Sequence, residues 1–488
     1  MATRLQWLRN VASKPLQYRA DGRLILGHMT AYVPVLPPAV EAAIAALRDQ
    51  PIAATDKGFG VIAAGGPVTS ASLGRQRPPL FGGGFTTPLL GLRESAVAHN
   101  IAAMAAYCAA AGVRLAPHGK TTMAPQLMAR QLAAGAWALT AATIGQVLAY
   151  RAFGIPRVLL ANELTDPTGI SWLAGEMAAD PGFDCYLYVD SLAGVALLDA
   201  ALRAHGARRA VPVLVELGYP GGRTGCRDVG EAVAVAEAAA ASPTLRVAGA
   251  AGFEGLIGHD REAETLAKIT RYCRALRALG ERLAATAAPG SLILSAGGSA
   301  FFDVVVRELA GGWEGARAPV IVLRSGVYVA FDHGLYAGIA PGRGEHTDGG
   351  VQAGRGGQAG DGERPGDGTP PGPALEPALE LWAHVLSRPE PGLALACAGR
   401  RDVGFDAGLP VPLRFRKPGG QLAPAAGSHV SALDDQHAYV RLPPGSDLAP
   451  GDLVCLGVSH PCTTFDKWRV IPVVDDGYHV IDAVHTFF

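Results

Sequence analysis

VRLAPHGK, Val113 to Lys120, reads as a short apolar strand that delivers a histidine and a lysine, His118 and Lys120, to its C-terminal end. Buried strands seldom finish in an ammonium group unless that group is used. A desolvated lysine has a lowered pKa and is nucleophilic, so Lys120 could hold an aldehyde as a Schiff base and shuttle protons. The plain alternative is a solvated lysine at a strand end, since lysine is mostly a surface residue.

The flanking sequence supplies the context. From Thr87 onward, apolar runs alternate with alanine-rich helical stretches. PLLGLR (Pro88 to Arg93) is the first expected strand, and the helix-like ESAVAHNIAAMAAYCAAAG behind it stops at Gly112. The unit repeats through VRLAPHGK, AWALTAAT, RVLLANE, DCYLYVD, VPVLVEL, LRVAGAAGFEG and SLILSAGG. Eight strands joined by helices predict an α/β fold with a closed parallel (β/α)8 TIM barrel. An open doubly wound sheet is the alternative, but no GxGxxG follows the first strand to favour it.

Outside the repeat the character changes. Residues 1–84 form an N-terminal extension, expected to pack partly on the C-terminal domain, with a helix candidate at Ala39 to Gln50 and a Gly/Pro boundary at RPPLFGGG. The barrel is expected over 85–318. A β-domain over 319–488 follows, opening with PVIVLRSGVYVAFD and carrying short β-type runs from Leu379. A Gly-rich insertion at about 341–375 has almost no apolar content and is expected to be disordered.

Composition narrows the function classes. The chain has 488 residues, 49% hydrophobic and 17% charged, with a net charge of -1, which speaks against a nucleic-acid partner. Seven scattered cysteines fit a reducing compartment better than a disulfide framework. No run is apolar and long enough for a membrane span, and the N-terminus lacks a signal-peptide core, so the expected location is cytoplasmic.

In such a barrel, functional atoms gather at the C-terminal ends of the strands. Those ends hold His118, Lys120, Thr143, Asn162, Glu163, Asp190, Arg223, Phe253, Glu254 and SAGGS (Ser295 to Ser299). Gly297 and Gly298 allow close backbone approach, Ser299 offers a hydroxyl, and a helix from about Ala300 would point N–H groups at an anion, giving a phosphate-type loop after strand eight. A plain tight turn is the competing reading. In SHPCTTFDKW (Ser459 to Trp468), His460 and Cys462 would share one face of a strand-like segment and could converge on one Zn²⁺ with coordination positions left open. The alternative is a buried cysteine beside a hydrogen-bonded histidine.

APHGKTTMAPQLMARQLAAGAWALTAAT, ELGYPGGRTGC, SAGGSAFFD, LRSGVYVAFDHG, GFDAGLP and SHPCTTFDKW occur in an order that resembles the D-serine dehydratase and D-threonine aldolase family. These are fold type III pyridoxal phosphate enzymes with an alanine-racemase-like barrel. The resemblance runs from about Thr87 to the C-terminus and leaves the Gly-rich insertion unmatched. It implies pyridoxal 5'-phosphate on Lys120 as the Schiff-base lysine, Arg223 as a cation near the phenolic oxygen, and Gly297, Gly298 and Ser299 in the phosphate cup. Tyr328 would lie near the cofactor, with His118, Phe253 and Ser295 lining the same site. His460 and Cys462 would be metal ligands, and a soft thiolate favours Zn²⁺. Two departures stand out: Thr122 and Met123 replace the second His and Lys of the family's HxKTHK pattern, and Phe253 stands where relatives often have tyrosine.

The implied activity is zinc-assisted β-elimination from a D-3-hydroxy amino acid such as D-serine, giving a 2-oxo acid and ammonia. Retro-aldol cleavage of the D-threonine aldolase type is the nearest rival. A non-catalytic pyridoxal phosphate carrier and a racemase are the others. The resemblance also implies a homodimer.

Overall fold

The computed structural model describes residues 24–26, 29–31, 36–284, 292–313, 318–341 and 370–488. The Gly-rich insertion expected at about 341–375 falls largely outside them, as does most of the chain before residue 36. Eight parallel strands form the barrel: Arg114–Leu115, Leu139–Ala141, Arg157–Glu163, Asp184–Val189, Val211–Leu217, Leu245–Gly252, Ile293–Ala296 and Val320–Leu323. Each pairs with the next from the second onward, and the eighth pairs with the first. A bridge between His118 and Thr140, and the Trp137 N–H donating to Leu115 O at 2.7 Å, close the ring.

The strands form because they are apolar on both sides. Val211–Leu217 is buried at every position, as a strand between a packed lumen and a covering helix must be. Ala116, Leu159, Tyr188, Leu214, Ile293 and Val322 belong to one buried cluster that fills the lumen. Thr143, Asp166, Ser191 and Asp228 each accept a backbone N–H at the start of the helix that follows. Gly249, at φ 148, sits at a register shift where an added Cβ would lie 1.9 Å from Ile293 O, so only glycine fits.

Two short apolar runs lie in the opposite sheet from the one expected. Leu89–Arg93 does not start the barrel; it pairs antiparallel with Leu379–Glu390 and parallel with Val470–Val474 in the C-terminal sheet. Val320–Leu323, expected in the β-domain, is the eighth barrel strand, so the barrel extends past residue 318. Both runs are apolar enough for either sheet, and partners far away in sequence decide. In consequence His118 and Lys120 follow the first strand, and SAGGS follows the seventh.

The C-terminal unit is a ten-stranded, mainly antiparallel sheet built on the long strand Leu379–Glu390. The segment before Leu89 covers one of its faces: Phe59, Leu73 and Leu80 pack with Trp382, Cys455 and Val480 in a separate buried cluster. Phe81 meets Trp382 edge-on at 4.8 Å, and Ser70 donates to Ala483 O at 2.9 Å. No helix among the described residues is long and apolar enough to cross a membrane.

Leu90 is fully buried on the transferred strand. Leu90→Ala is therefore expected to destabilise the full chain by about 2–5 kcal/mol in denaturant melts, whereas a loosely attached leader would lose almost nothing.

Candidate active site

His118 ends the first barrel strand and opens a single 3-10 turn, Gly119–Thr121. Gly119 makes this turn possible, because an added Cβ would lie 2.5 Å from the Tyr150 hydroxyl. Thr121 is buried beneath the turn, while Lys120 projects exposed from its top. The lysine expected to be desolvated is thus open to solvent at the barrel mouth. Thr122 and Met123, where the family pattern has His and Lys, are buried and do not face the mouth's solvent. His118 is enclosed beside three cations: burial first, then Lys120, Arg324 and Arg223, hold its imidazole well below the ordinary histidine value, and it stays neutral. Its Nδ1 is buried without a hydrogen-bond partner.

Arg223 lies over the Phe253 ring, 5.5 Å from its centroid. Phe253 in turn lies against the phosphate-type loop, where a Cβ on Gly298 would come within 2.8 Å of its ring. The loop itself corrects the sequence reading. The fully buried Glu254 carboxylate accepts the Gly297 N–H at 3.1 Å and the Gly298 N–H at 2.6 Å, so those two donors are already taken. Gly297 and Gly298 contribute closeness of approach, and the Ser299 hydroxyl has no partner among the described residues. The following helix begins at Phe302, two residues after the expected start. Ser295 lies deeper: its hydroxyl donates to Val322 O at 3.0 Å and accepts from Arg324 at 2.7 Å, which makes it a support for Arg324. Tyr328 does not line the mouth. Its hydroxyl accepts from Gln131 at 2.9 Å in a 190 Å³ cavity behind the first strand, shared with Cys108 and Val113.

The second half of the site comes from the far end of the chain. Cys462 begins a short helix, Cys462–Phe465, with Pro461 at its cap, so a helical turn and not a strand pleat brings His460 and Cys462 together. The turn is fixed by Thr464, which donates to His460 O at 2.9 Å and accepts from the Gly404 N–H at 2.9 Å. Asp406 lies 2.7 Å from His460 Nδ1 and accepts from Thr463 at 2.6 Å. It thereby orients the ring and leaves Nε2 to face the Cys462 thiol, as carboxylates that bond the far nitrogen of metal-binding histidines do. Cys462 Sγ donates to Thr121 Oγ1 at 3.5 Å. The thiol therefore touches the turn that carries Lys120. Asp332, fully buried, caps the helix Leu335–Ile339 by accepting from Gly334, Tyr336 and Ala337 beside this pair, and burial lifts it to about 6.

Glu216, Arg324 and Asp406 escaped the sequence reading. Glu216 sits one residue inside the end of its strand, Arg324 follows a strand that had been assigned to the other domain, and Asp406 lies within GFDAGLP, a motif quoted without a role for its acid. A correct strand count would have found Arg324. Glu163 and Asp190, found at strand ends, converge on Glu216 with ligand oxygens within 4.8 Å of one another.

The His460 pair has a pH signature. A hydrogen bond with Cys462, backed by Asp406, raises the His460 pKa from 6.5 to about 9. A raised histidine stabilises the fold fully below its unfolded value and loses that contribution as pH climbs through the folded one. In chelator-treated full-length protein, the melting temperature is expected to fall between pH 6.5 and 9, and His460→Asn should flatten that limb in thermal melts. Equal slopes would refute the pairing.

Comparison with known proteins gives the site its setting. Residues 92–305 match the family described as alanine racemase, N-terminal domain, and residues 378–474 match the putative serine dehydratase domain. D-threonine aldolase from Arthrobacter sp is 28% identical over 395 residues, covering 80% of this chain and 89% of that protein. 3-Hydroxy-D-aspartate aldolase from Paracoccus denitrificans (strain Pd 1222) is 28% identical over 331 residues, covering 66% of this chain and 74% of its own. Among solved structures, D-threonine aldolase from Filomicrobium marinum superposes with a TM-score of 0.65 at 24% identity, over 82% of this chain and 95% of that one. D-threo-3-hydroxyaspartate dehydratase from Delftia sp. HT23 gives 0.61 at 21% identity, over 82% and 97%. The chain thus joins a barrel that matches the alanine racemase N-terminal domain to a β-domain that matches the putative serine dehydratase domain, and along most of its length it is similar to D-threonine aldolase and 3-hydroxy-D-aspartate aldolase, with the fold of the alanine-racemase-like, fold type III enzymes.

Proposed function

We propose that this chain is a pyridoxal-phosphate- and zinc-dependent lyase that eliminates the β-hydroxyl of a D-3-hydroxy amino acid such as D-serine, releasing a 2-oxo acid and ammonia. The observation that carries this reading is the 3.5 Å contact between Cys462 and Thr121, which joins a candidate metal pair to the turn bearing Lys120. Elimination of hydroxide needs both an acidified α-carbon and an acid on the leaving oxygen, and the turns that would supply them are in contact here.

The residues fit the cofactor. His118 Nδ1 and Arg324 Nε are buried without partners, and Gly298 leaves a recess against Phe253 that a side chain would fill. Pyridoxal phosphate, when bound, supplies an electron sink that acidifies the α-hydrogen of an amino acid held at its aldehyde carbon. Lys120 would hold that aldehyde and then move the α-proton on Nζ. Arg223 would supply positive charge at the mouth, Ser299 a phosphate donor, and the neutral His118 an imidazole that adds no charge beside the cofactor. His460 Nε2 and the Cys462 thiolate fit zinc by donor chemistry, two soft or borderline ligands with room for substrate oxygen, and zinc there would polarise the departing hydroxyl. Asp406 keeps His460 aligned for that task.

Retro-aldol cleavage is the second reading, favoured by the relatives named as aldolases. With D-threonine as substrate, elimination yields 2-oxobutyrate and ammonia, and cleavage yields glycine and acetaldehyde. We expect the first pair, its loss on chelation, and a fall of at least about a hundredfold in Lys120→Ala. Glycine as the main product would replace elimination with aldol cleavage. A borohydride-reducible adduct without turnover of any D-hydroxy amino acid would leave only a cofactor carrier.

A further inference from the structure

Three carboxylates crowd the side of the barrel mouth away from the phosphate-type loop. Glu163 ends the third strand, Asp190 follows the fourth, and Glu216 lies near the end of the fifth, with their ligand oxygens within 4.8 Å of one another. Like charges this close repel strongly in a poorly solvated site unless something neutralises them. Among the described residues no arginine or lysine forms an ion pair with any of the three. Glu216 is only 4% exposed, and its Oε2 and Glu163 Oε1 are buried without hydrogen-bond partners. Asp190 uses one oxygen to accept the Gly225 N–H at 3.2 Å.

Tyr188 supplies a second, independent observation. Its ring is 2% exposed inside the barrel, and its hydroxyl has no partner. Tyr188 pairs in register with Glu163 on one side and with Leu214 on the other, two residues before Glu216. Asp190 lies two residues beyond it on the same chain and the same face. Tyr188 therefore shares the lumen face with all three acids, and the Glu216 and Glu163 charges, together with that of Arg324, reach its buried hydroxyl. Burial, the Glu216 charge and a hydrogen bond with Glu216 push Glu163 up to about 8, so a proton shared by these two carboxyls holds the place that a cation would take.

We propose that Glu163, Asp190 and Glu216, with the Tyr188 hydroxyl beneath them, form a binding site for a hard, calcium-sized cation in the floor of the barrel mouth. Ligand oxygens within 4.8 Å of one another can all reach one cation at calcium bond lengths of about 2.3–2.6 Å, and calcium's tolerant geometry suits a set of carboxylates fixed on three different strands. An all-oxygen donor set has no preference for the soft metal suited to His460 and Cys462, so the two sites select different ions. The assignment rests on the barrel alone and is independent of the reaction proposed above.

Terbium(III), a hard ion of calcium size whose emission is sensitised by an adjacent tyrosine, reads the site directly. Full-length protein treated with chelator and then titrated with terbium is expected to show tyrosine-sensitised emission that calcium displaces. Apparent affinity should fall by at least about tenfold in Glu216→Gln and in the less buried Glu163→Gln, and stay unchanged in Cys462→Ala. Circular dichroism and melting temperature confirm that each variant is folded, and calcium should raise the melting temperature of the parent protein but not of Glu163→Gln. Emission that is absent, that survives both glutamine substitutions, or that disappears with Cys462 overturns the proposal.

Discussion

The contact between Thr121 and Cys462 is the constraint on which the chemistry depends. It joins a turn at the rim of the barrel to a turn in the last strands of the chain, 341 residues later, at 3.5 Å. One weak sulfur contact cannot hold two domains in register, and it does not have to. A single buried cluster runs from the barrel helices through Leu381, Val458, Phe465 and Trp468 of the C-terminal sheet. The Trp468 indole donates to Asp402 O at 2.8 Å, Lys57 bonds the Asp402 carboxylate at 3.0 Å, and the His333 N–H donates to Val458 O at 2.8 Å. Close-packed apolar surface keeps the sheet from sliding, and buried polar contacts, each costly to leave unmade, fix its register.

The exchange of Leu89–Arg93 for Val320–Leu323 belongs to the same design. Because the strand entering the barrel is hydrogen-bonded into the C-terminal sheet, the polypeptide crosses between the two units at both ends of the barrel. The helix Glu94–Ala110 that leads to the Lys120 turn is thereby anchored at its start to the sheet that presents His460 and Cys462.

Electrostatics divides the mouth. Burial, with Lys120, Arg324 and Arg223 close by, keeps His118 neutral, while burial and the crowding of Glu216 and Asp190 on the far side raise Glu163 to about 8. Between them the Tyr188 ring lies under the Arg324 guanidinium, 5.9 Å from ring centroid to Cζ, and the Glu216 and Glu163 charges also reach its hydroxyl. Such a gradient suits a flat, polar, anionic molecule better on one side than the other. Glu254 sharpens it by occupying the Gly297 and Gly298 N–H groups, so the charge of an incoming anion falls to Ser299 and the neighbouring cations.

Periodicity alone determined that this chain builds a parallel barrel followed by a β-rich unit, because alternating apolar strands and alanine-rich helices are local properties. Lys120 after a strand, and Arg223 and Phe253 at the mouth, were legible for the same reason, while His460 and Cys462 were picked out by residue type but are brought together by a helical turn that the spacing did not predict. What only the tertiary structure decided is membership and direction. LLGLR and VIVL are both short apolar runs, and nothing within either tells which sheet supplies its hydrogen bonds. Tyr328 turns to Gln131 because the cavity behind the first strand accommodates its ring, and Asp406 meets His460 across 54 residues because a loop folds back on the turn that carries His460. Local sequence sets the backbone's own preferences, but partners distant along the chain are chosen by the packing of the whole.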